Sequence, residues 1–148
     1  MILLDVNVLV YAHREDASRH DEYWSWLADA QRSPAPIGVS ELVLSGFVRM
    51  VTHPRVFRAP TPIEQALDFA DGLRRQPNTV LLAPGTGHWG IFAELCRSVG
   101  AKGNLVPDAY LAALAIETGS DWITTDRDYS RFPGLRWRHP LDDGLQRD

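Results

Sequence analysis

Four acids in this chain sit where a carboxylate can do chemistry. Asp5 follows the apolar run Ile2-Leu3-Leu4, and Asp126 follows Trp122-Ile123-Thr124 and Thr125, so each ends a segment short and apolar enough to be a buried strand. Glu41 comes directly after Ser40, and Asp108 comes directly after Val106-Pro107, both at predicted helix starts. Each acid also has a plain local use. Asp126 can cap the segment Arg127 to Arg131, Asp108 can complement a helix dipole, Glu41 can be a first-turn acid beside its cap, and Asp5 can bond to nearby amides. Together they ask for more. Two carboxylates 4 Å apart repel by about 4 kcal/mol at an effective dielectric near 20, so a cluster needs protons or a cation. Oxygen-only ligands with no paired His or Cys suit Mg²⁺ or Mn²⁺. The five histidines, His13, His20, His53, His88 and His139, show no metal-ligand pairing.

What must bring the acids together is the succession of elements. The apolar pattern Val8 to Ala12 predicts a helix directly after Asp5. A second helix is expected from Ser18 to Arg32, burying Tyr23, Trp24, Leu27 and Ala30 and leaving Trp26 off that face. Pro34 and Pro36 close it. Ser40 offers an N-cap for a helix through Glu41 to Met50, and Thr61-Pro62-Ile63-Glu64 combines an N-cap, a first-turn proline and a capping-box acid. Val80-Leu81-Leu82 reads as a buried strand, and Trp89, Phe92, Cys96 and Val99 form a stripe on a helix that ends at Gly100. An alanine-rich helix is expected from Asp108 to Thr118, a third strand over Trp122 to Thr124, and a last one near Leu135 to Trp137 before a polar tail. Strands alternating with helices predict a single α/β domain over residues 1–148, with a mostly parallel central sheet and helices on both faces. Such a sheet presents Asp5 and Asp126 at its carboxyl edge, where ligands bind in this architecture.

Composition narrows the classes. With 148 residues, 45% hydrophobic and 23% charged, the chain suits one globular domain, and no stretch approaches the ~18 apolar residues of a membrane span. The first apolar run lacks leading basic residues and is broken by Asp5, unlike a signal peptide, which predicts a cytoplasmic protein. Cys96 is the single cysteine, so no internal disulfide or cysteine zinc site is expected. A net charge of -4 argues against a nucleic-acid-coating protein but is compatible with a nuclease whose acids hold cations. Fourteen of the fifteen basic residues are Arg, which favours bidentate phosphate contact.

The stretches Ile2 to Tyr11, Glu41, Thr52 to Phe57, Gly103 to Ala115, Thr124 to Tyr129 and Phe132 to Trp137 resemble the motifs of PIN-domain nucleases, most closely VapC-type toxins of bacterial toxin–antitoxin pairs. The resemblance implies a Mg²⁺- or Mn²⁺-dependent endoribonuclease held in check by a cognate antitoxin, commonly a homodimer. It carries Asp5, Glu41, Asp108 and Asp126 onto the family's four acids, with Asn7, Asn104, Thr124 and Thr125 as supporting polar positions and Asp128 as an outer carboxylate. Asp5 and Asp126 are expected to bind the main metal and Asp108 to act as a further ligand. Glu41 is expected to orient or deprotonate the attacking water. Tyr129 stands where the family often has another aromatic residue.

Arg14, Arg49, Arg55, Arg127 and Arg131 are candidates for phosphate contact, with Arg49, two turns after Glu41, and Arg127 preferred. Trp24, Trp89, Trp122 and Trp137 read as core rather than as base-stacking platforms. Two other readings stay open. A haloacid-dehalogenase-like phosphatase also begins with Asp after a strand, but wants a second acid where Asn7 stands and a catalytic Lys, for which only Lys102 exists. A PIN-like RNA- or protein-binding module without turnover is the non-enzymatic alternative.

Overall fold

The computed structural model describes residues 1–142; the expected polar tail lies mostly outside them. Five strands form one sheet in the order β3-β2-β1-β4-β5, with β1 at Ile2–Leu4, β2 at Ile37–Ser40, β3 at Thr79–Leu82, β4 at Asp121–Ile123 and β5 at Trp137–Arg138. Every pairing is parallel. The helices are α1 Val6–His13, α2 His20–Arg32, α3 Glu41–Val51, α4 Ile63–Arg74, α5 His88–Val99 and α6 Leu105–Thr118. Right-handed crossovers from β1 to β2 to β3 put α1 to α4 on one face, and the return from β3 to β4 puts α5 and α6 on the other. Contacts of α1 with α2 and α3, of α3 with α4, and of α5 with α6 agree with this. The α/β expectation with helices on both faces is therefore met.

The strand order reverses between β1 and β4, and an open α/β sheet binds ligands at that switch point, beyond the carboxyl ends of the strands. Asp5 ends one of these strands, and Asp126 lies three residues past the other. The core beneath them is made by Leu3, Leu4, Trp122 and Ile123 from the strands, with Val8, Leu9, Phe47 and Ala112 to Ala115 from the helices. The alanines let α6 press closely on the sheet, and Gly119, at φ 68°, ends that helix as expected.

Several elements differ from the sequence reading. The strand β2 was hidden between Pro36 and Ser40, although all four of its residues are buried. Gly38 allows close strand packing there: a Cβ would stand 2.6 Å from Leu82 Cδ1 and 3.0 Å from the Ile2 carbonyl oxygen, so Leu82 would have to move. Val80 and Leu81 are exposed rather than buried, because β3 is an edge strand. Trp24 and Trp89 are exposed at 54% and 70%, and only Trp122 is fully buried. On α2 the buried face is set by Tyr23 and Leu27; Trp24 falls to one side of it, while Trp26 packs partly against the core. The capping box at Thr61 does not form. Its hydroxyl is taken by Arg14 Nη1 at 3.2 Å and by His13 Nε2 at 3.1 Å, and Pro62 occupies the cap of α4. Helix α6 begins at Leu105, three residues early, since Pro107 is tolerated in a first turn whose N–H groups have no intrahelical partner.

Candidate active site

Asp5 is built into the end of β1 by its neighbours. Its backbone N–H donates to the Ile123 carbonyl at 2.9 Å, extending the β1–β4 ladder to the edge, and its Oδ1 caps α1 by accepting from the Val6 N–H at 2.7 Å. Oδ2 accepts from the Thr124 hydroxyl at 2.7 Å and from the Asn7 amide at 3.2 Å. Thr124 is fully buried, and its Oγ1 also accepts from the Asp126 N–H at 3.0 Å; Asn7 Oδ1 accepts from the Thr125 N–H at 3.1 Å. Thus Asn7, Thr124 and the Thr125 backbone tie the two strand ends into one polar network. Asn7 is a bridge here, and not the second acid of a phosphatase.

Asp108 stands in the first turn of α6 and accepts from the Tyr129 hydroxyl at 3.2 Å. Asp126 caps the short 3-10 helix Arg127–Arg131 through the Asp128 N–H at 2.9 Å. The local use expected for Asp126 is thus real, and the residue also lines a cavity. Asp5, Asp108 and Asp126 line one cavity of about 590 Å³ together with Asn7, Arg49 and Tyr129.

Burial, more than mutual charge, governs these acids. Burial raises the Asp5 carboxyl from 3.8 to about 6, with hydrogen bonds from Thr124 and Val6 opposing and the charges of Asp108 and Asp126 adding to the rise. Asp108 is also raised, first by burial, against the Tyr129 hydrogen bond, and further by Asp126. Burial and the surrounding acids hold the Tyr129 phenol far above its ordinary range, so it remains a donor to Asp108. Among the described residues none of the three acids has a Lys or Arg ion pair.

A hard divalent cation is the chemistry that answers unneutralised oxygen donors. Among the described residues no three His, Cys, Asp or Glu side chains stand close enough to hold a metal as a ready-made cage. Mg²⁺ keeps several of its waters and needs only one or two carboxylates directly, so the donor set fits a hydrated cation rather than a closed protein cage.

The remaining candidates separate. Glu41 begins α3 beside the end of β2, but its carboxylate points to solvent, 3.8 Å from Arg74, and lines a separate shallow groove with Leu42, Leu81 and Tyr110. Asn104 is exposed and makes no capping bond. Asp128 is exposed and contributes its N–H rather than its carboxylate. Arg49 lines the cavity, whereas Arg127 is paired with Asp142 at 3.0 Å. Arg14 is buried and committed to Asp16, Ala59 and Thr61, so it is no phosphate ligand. Sequence reasoning missed the apolar wall of the cavity, formed by Val10, Tyr11, Met50, Val56 and Phe57. Val56 and Phe57 were visible only as part of a family-like stretch. A cavity of about 620 Å³ at the opposite edge, around Met1 and Ile37, offers no comparable cluster, since its Asp121 is paired with Arg136 at 2.8 Å.

A three-layer parallel sheet with acids flanking its switch point matches the family described as PIN domain, whose model covers residues 2–135. Ribonuclease VapC43 of Mycobacterium tuberculosis is 45% identical over 96% of this chain and 97% of its own, and Ribonuclease VapC25 of the same organism is 36% identical over 95% and 99%. The chain belongs to the PIN-domain family and falls within its VapC group. In structure it is similar to VapBC2 from Rickettsia felis bound to a promoter DNA fragment, with a TM-score of 0.70 at 22% identity over 94% of this chain and 98% of that one. That likeness confirms the fold. The family match sets the phosphatase reading aside.

Proposed function

We propose that this chain is a Mg²⁺- or Mn²⁺-dependent endoribonuclease, the toxin of a toxin–antitoxin pair. The observation that carries the reading is the convergence of Asp5, Asp108 and Asp126 on one cavity, with Asp5 only 6% exposed and, among the described residues, no ion pair to neutralise it. The ribonuclease names of its relatives support it. Asp5 and Asp126 would hold the principal cation, with Asp108 as a further ligand, direct or through water. The cation when bound supplies an activated water and stabilises charge on the phosphodiester oxygens.

The chain's own groups prepare this. Thr124 and Asn7 fix the Asp5 carboxylate, Tyr129 fixes Asp108, and Arg49 at the cavity wall receives a phosphate of the strand. Glu41 is kept as the acid that orients the attacking water. Its Cα lies at the end of β2, next to β1, and the exposed contact with Arg74 at 3.8 Å restrains it weakly. The partner would be an antitoxin protein, as the VapBC2 structure suggests by its composition. Exposed Leu42, Ile63, Leu67, Val80 and Leu81 on α3, α4 and β3 support a further interface, as in a homodimer. The place of action would be the cytoplasm; among the described residues no helix is long and apolar enough to cross a membrane.

The test is RNA cleavage with mapped ends by the native chain, an Asp5→Asn variant and the native chain with chelator. Cleavage by the native chain alone is expected. Full metal-dependent cleavage by Asp5→Asn would overturn the assignment, and no cleavage by any of the three would favour the non-catalytic RNA- or protein-binding module.

A further inference from the structure

Besides the three carboxylates, the cavity of about 590 Å³ is lined by Val10, Tyr11, Met50, Val56 and Phe57. An apolar wall with two aromatic rings does nothing for a phosphodiester or a hydrated cation. It is nevertheless built with care. The chain after α3 turns back on itself, with the Val56 and Phe57 N–H groups both donating to the His53 carbonyl at 3.1 Å and the Thr61 N–H donating to Val51 at 2.8 Å. Arg14, at the end of α1, then fastens this turn. Its Nη1 donates to the Ala59 carbonyl at 2.8 Å and to Thr61, its guanidinium carbon stands 4.1 Å from the centroid of the Phe57 ring, and Asp16 holds the rest of the guanidinium through two bonds. Phe57 is thereby fixed from behind by a cation and offered to the cavity. Val56, beside it, is 49% exposed, an apolar side chain at the lip of a polar site.

We propose that this wall is a subsite for one unpaired nucleobase of the RNA, seated against Phe57 next to the phosphodiester that faces Asp5, Asp108 and Asp126. The inference rests on the nuclease reading and adds what that reading lacks, a group that seats a nucleoside beside the phosphodiester to be cut. A base has the flat apolar face that Phe57 and Tyr11 can cover, while Arg49 and the cation that the carboxylates would hold draw the phosphodiester to their own part of the cavity. A base still paired in a duplex cannot enter a concave site of this kind, so the substrate strand is single or looped at that nucleotide. Fixing Phe57 through Arg14 in the free protein lowers the ordering cost of binding.

The experiment uses an oligoribonucleotide containing one mapped cleavage site, and a set of copies each carrying one abasic nucleotide at successive positions around that site. Cleavage by the native chain should fall about 5- to 100-fold at one abasic position and little at the others, the range expected for loss of one stacked base. Phe57→Leu should slow cleavage of the intact oligonucleotide by a similar factor, Phe57→Trp should retain it, and Phe57→Leu should add no further loss on the sensitive abasic copy, because both changes remove one contact. The abasic series needs no variant, so misfolding of Phe57→Leu does not shield the proposal. A flat abasic profile with efficient cleavage overturns it while leaving the nuclease reading intact, and gives the wall to a protein segment instead. Penalties that multiply overturn it as well. Failure of the native chain to cut any RNA removes both.

Discussion

Replacing Asp5 by Asn should make the metal-free protein more stable while removing its activity. The carboxyl rises from 3.8 in the unfolded chain to about 6 in the fold, chiefly through burial. At 1.36 kcal/mol per pH unit, the ionised form costs the fold about 3 kcal/mol at neutral pH. An Asn side chain keeps the shape and can still accept from the Val6 N–H, but it disturbs the bonds that Thr124 and Asn7 donate to Oδ2, for about 1 kcal/mol. The net gain of about 2 kcal/mol corresponds to a Tm higher by about 4–8 °C in a chain of this size. The sign follows from linkage. A carboxyl whose folded pKa is raised contributes its relative stability below the unfolded value of 3.8 and loses it as pH rises through about 6. The advantage of Asp5→Asn is therefore full above pH ~6.5 and gone near pH ~4. Thermal unfolding followed by circular dichroism in EDTA, for both proteins at a series of pH values, reads this as the difference between two Tm curves, which cancels the other carboxylates. An Asn variant less stable than the native chain at pH 7.5, or a gap that does not close on acidification, would refute the account of Asp5 as a buried, unneutralised charge.

Added Mg²⁺ or Mn²⁺ should raise the Tm of the native chain at pH 7.5, by the equivalent of about 2.7 kcal/mol at a hundredfold excess over Kd, and should raise that of Asp5→Asn much less. The shift should shrink below pH ~6, where Asp5 takes up a proton; equal shifts in both proteins place the cation elsewhere. Thr124→Val keeps the volume and removes a hydroxyl that donates to Asp5 at 2.7 Å and accepts from Asp126 at 3.0 Å. A loss of about 1–3 kcal/mol is expected in denaturant titration, with the acid limb of the pH–rate profile moved upward because the carboxylate loses its best donor; an unmoved limb argues against Thr124 as its support. Glu41→Gln should lower cleavage by about 100-fold without lowering Tm if Glu41 leaves Arg74 for the site when RNA binds, and unchanged cleavage removes it from the machinery.

The features legible in the sequence were those set by neighbours a few residues apart. Ile2-Leu3-Leu4 before Asp5, Ser40 before Glu41 and Gly119 after α6 each announce an element boundary through chemistry confined to that stretch, and each stands where expected. The misses share a different cause. Exposure of Val80 and Leu81 depends on β3 being at the edge of the sheet, and Gly38 matters because Leu82 and Ile2 come close to it from other strands. Thr61 has a good capping signature, yet a residue 47 positions away takes its hydroxyl. Long-range partners override local propensity at these positions, and no window of sequence contains both members.

The same division runs through the site. Asp5 and Asp126 converge because parallel strands place their carboxyl ends along one edge, and the reversal of order between β1 and β4 brings those two ends side by side. That much follows from alternation of strands and helices. The fate of the flexible charged residues does not. Arg14, Arg49 and Arg127 look alike in composition, but one fastens a turn, one lines the cavity and one pairs with Asp142, because a long side chain is placed by its partner and not by its backbone position. Glu41 belongs with these. Its backbone is placed by β2 as firmly as that of Asp5 is by β1, but Asp5 has four hydrogen bonds holding it at the edge while Glu41 has one long contact to an exposed arginine. The rigid half of the site is the Asp5, Asn7 and Thr124 network, preorganised at a cost in stability. Glu41, with its one long contact to Arg74, and Arg49, at the cavity lining, stand outside that network.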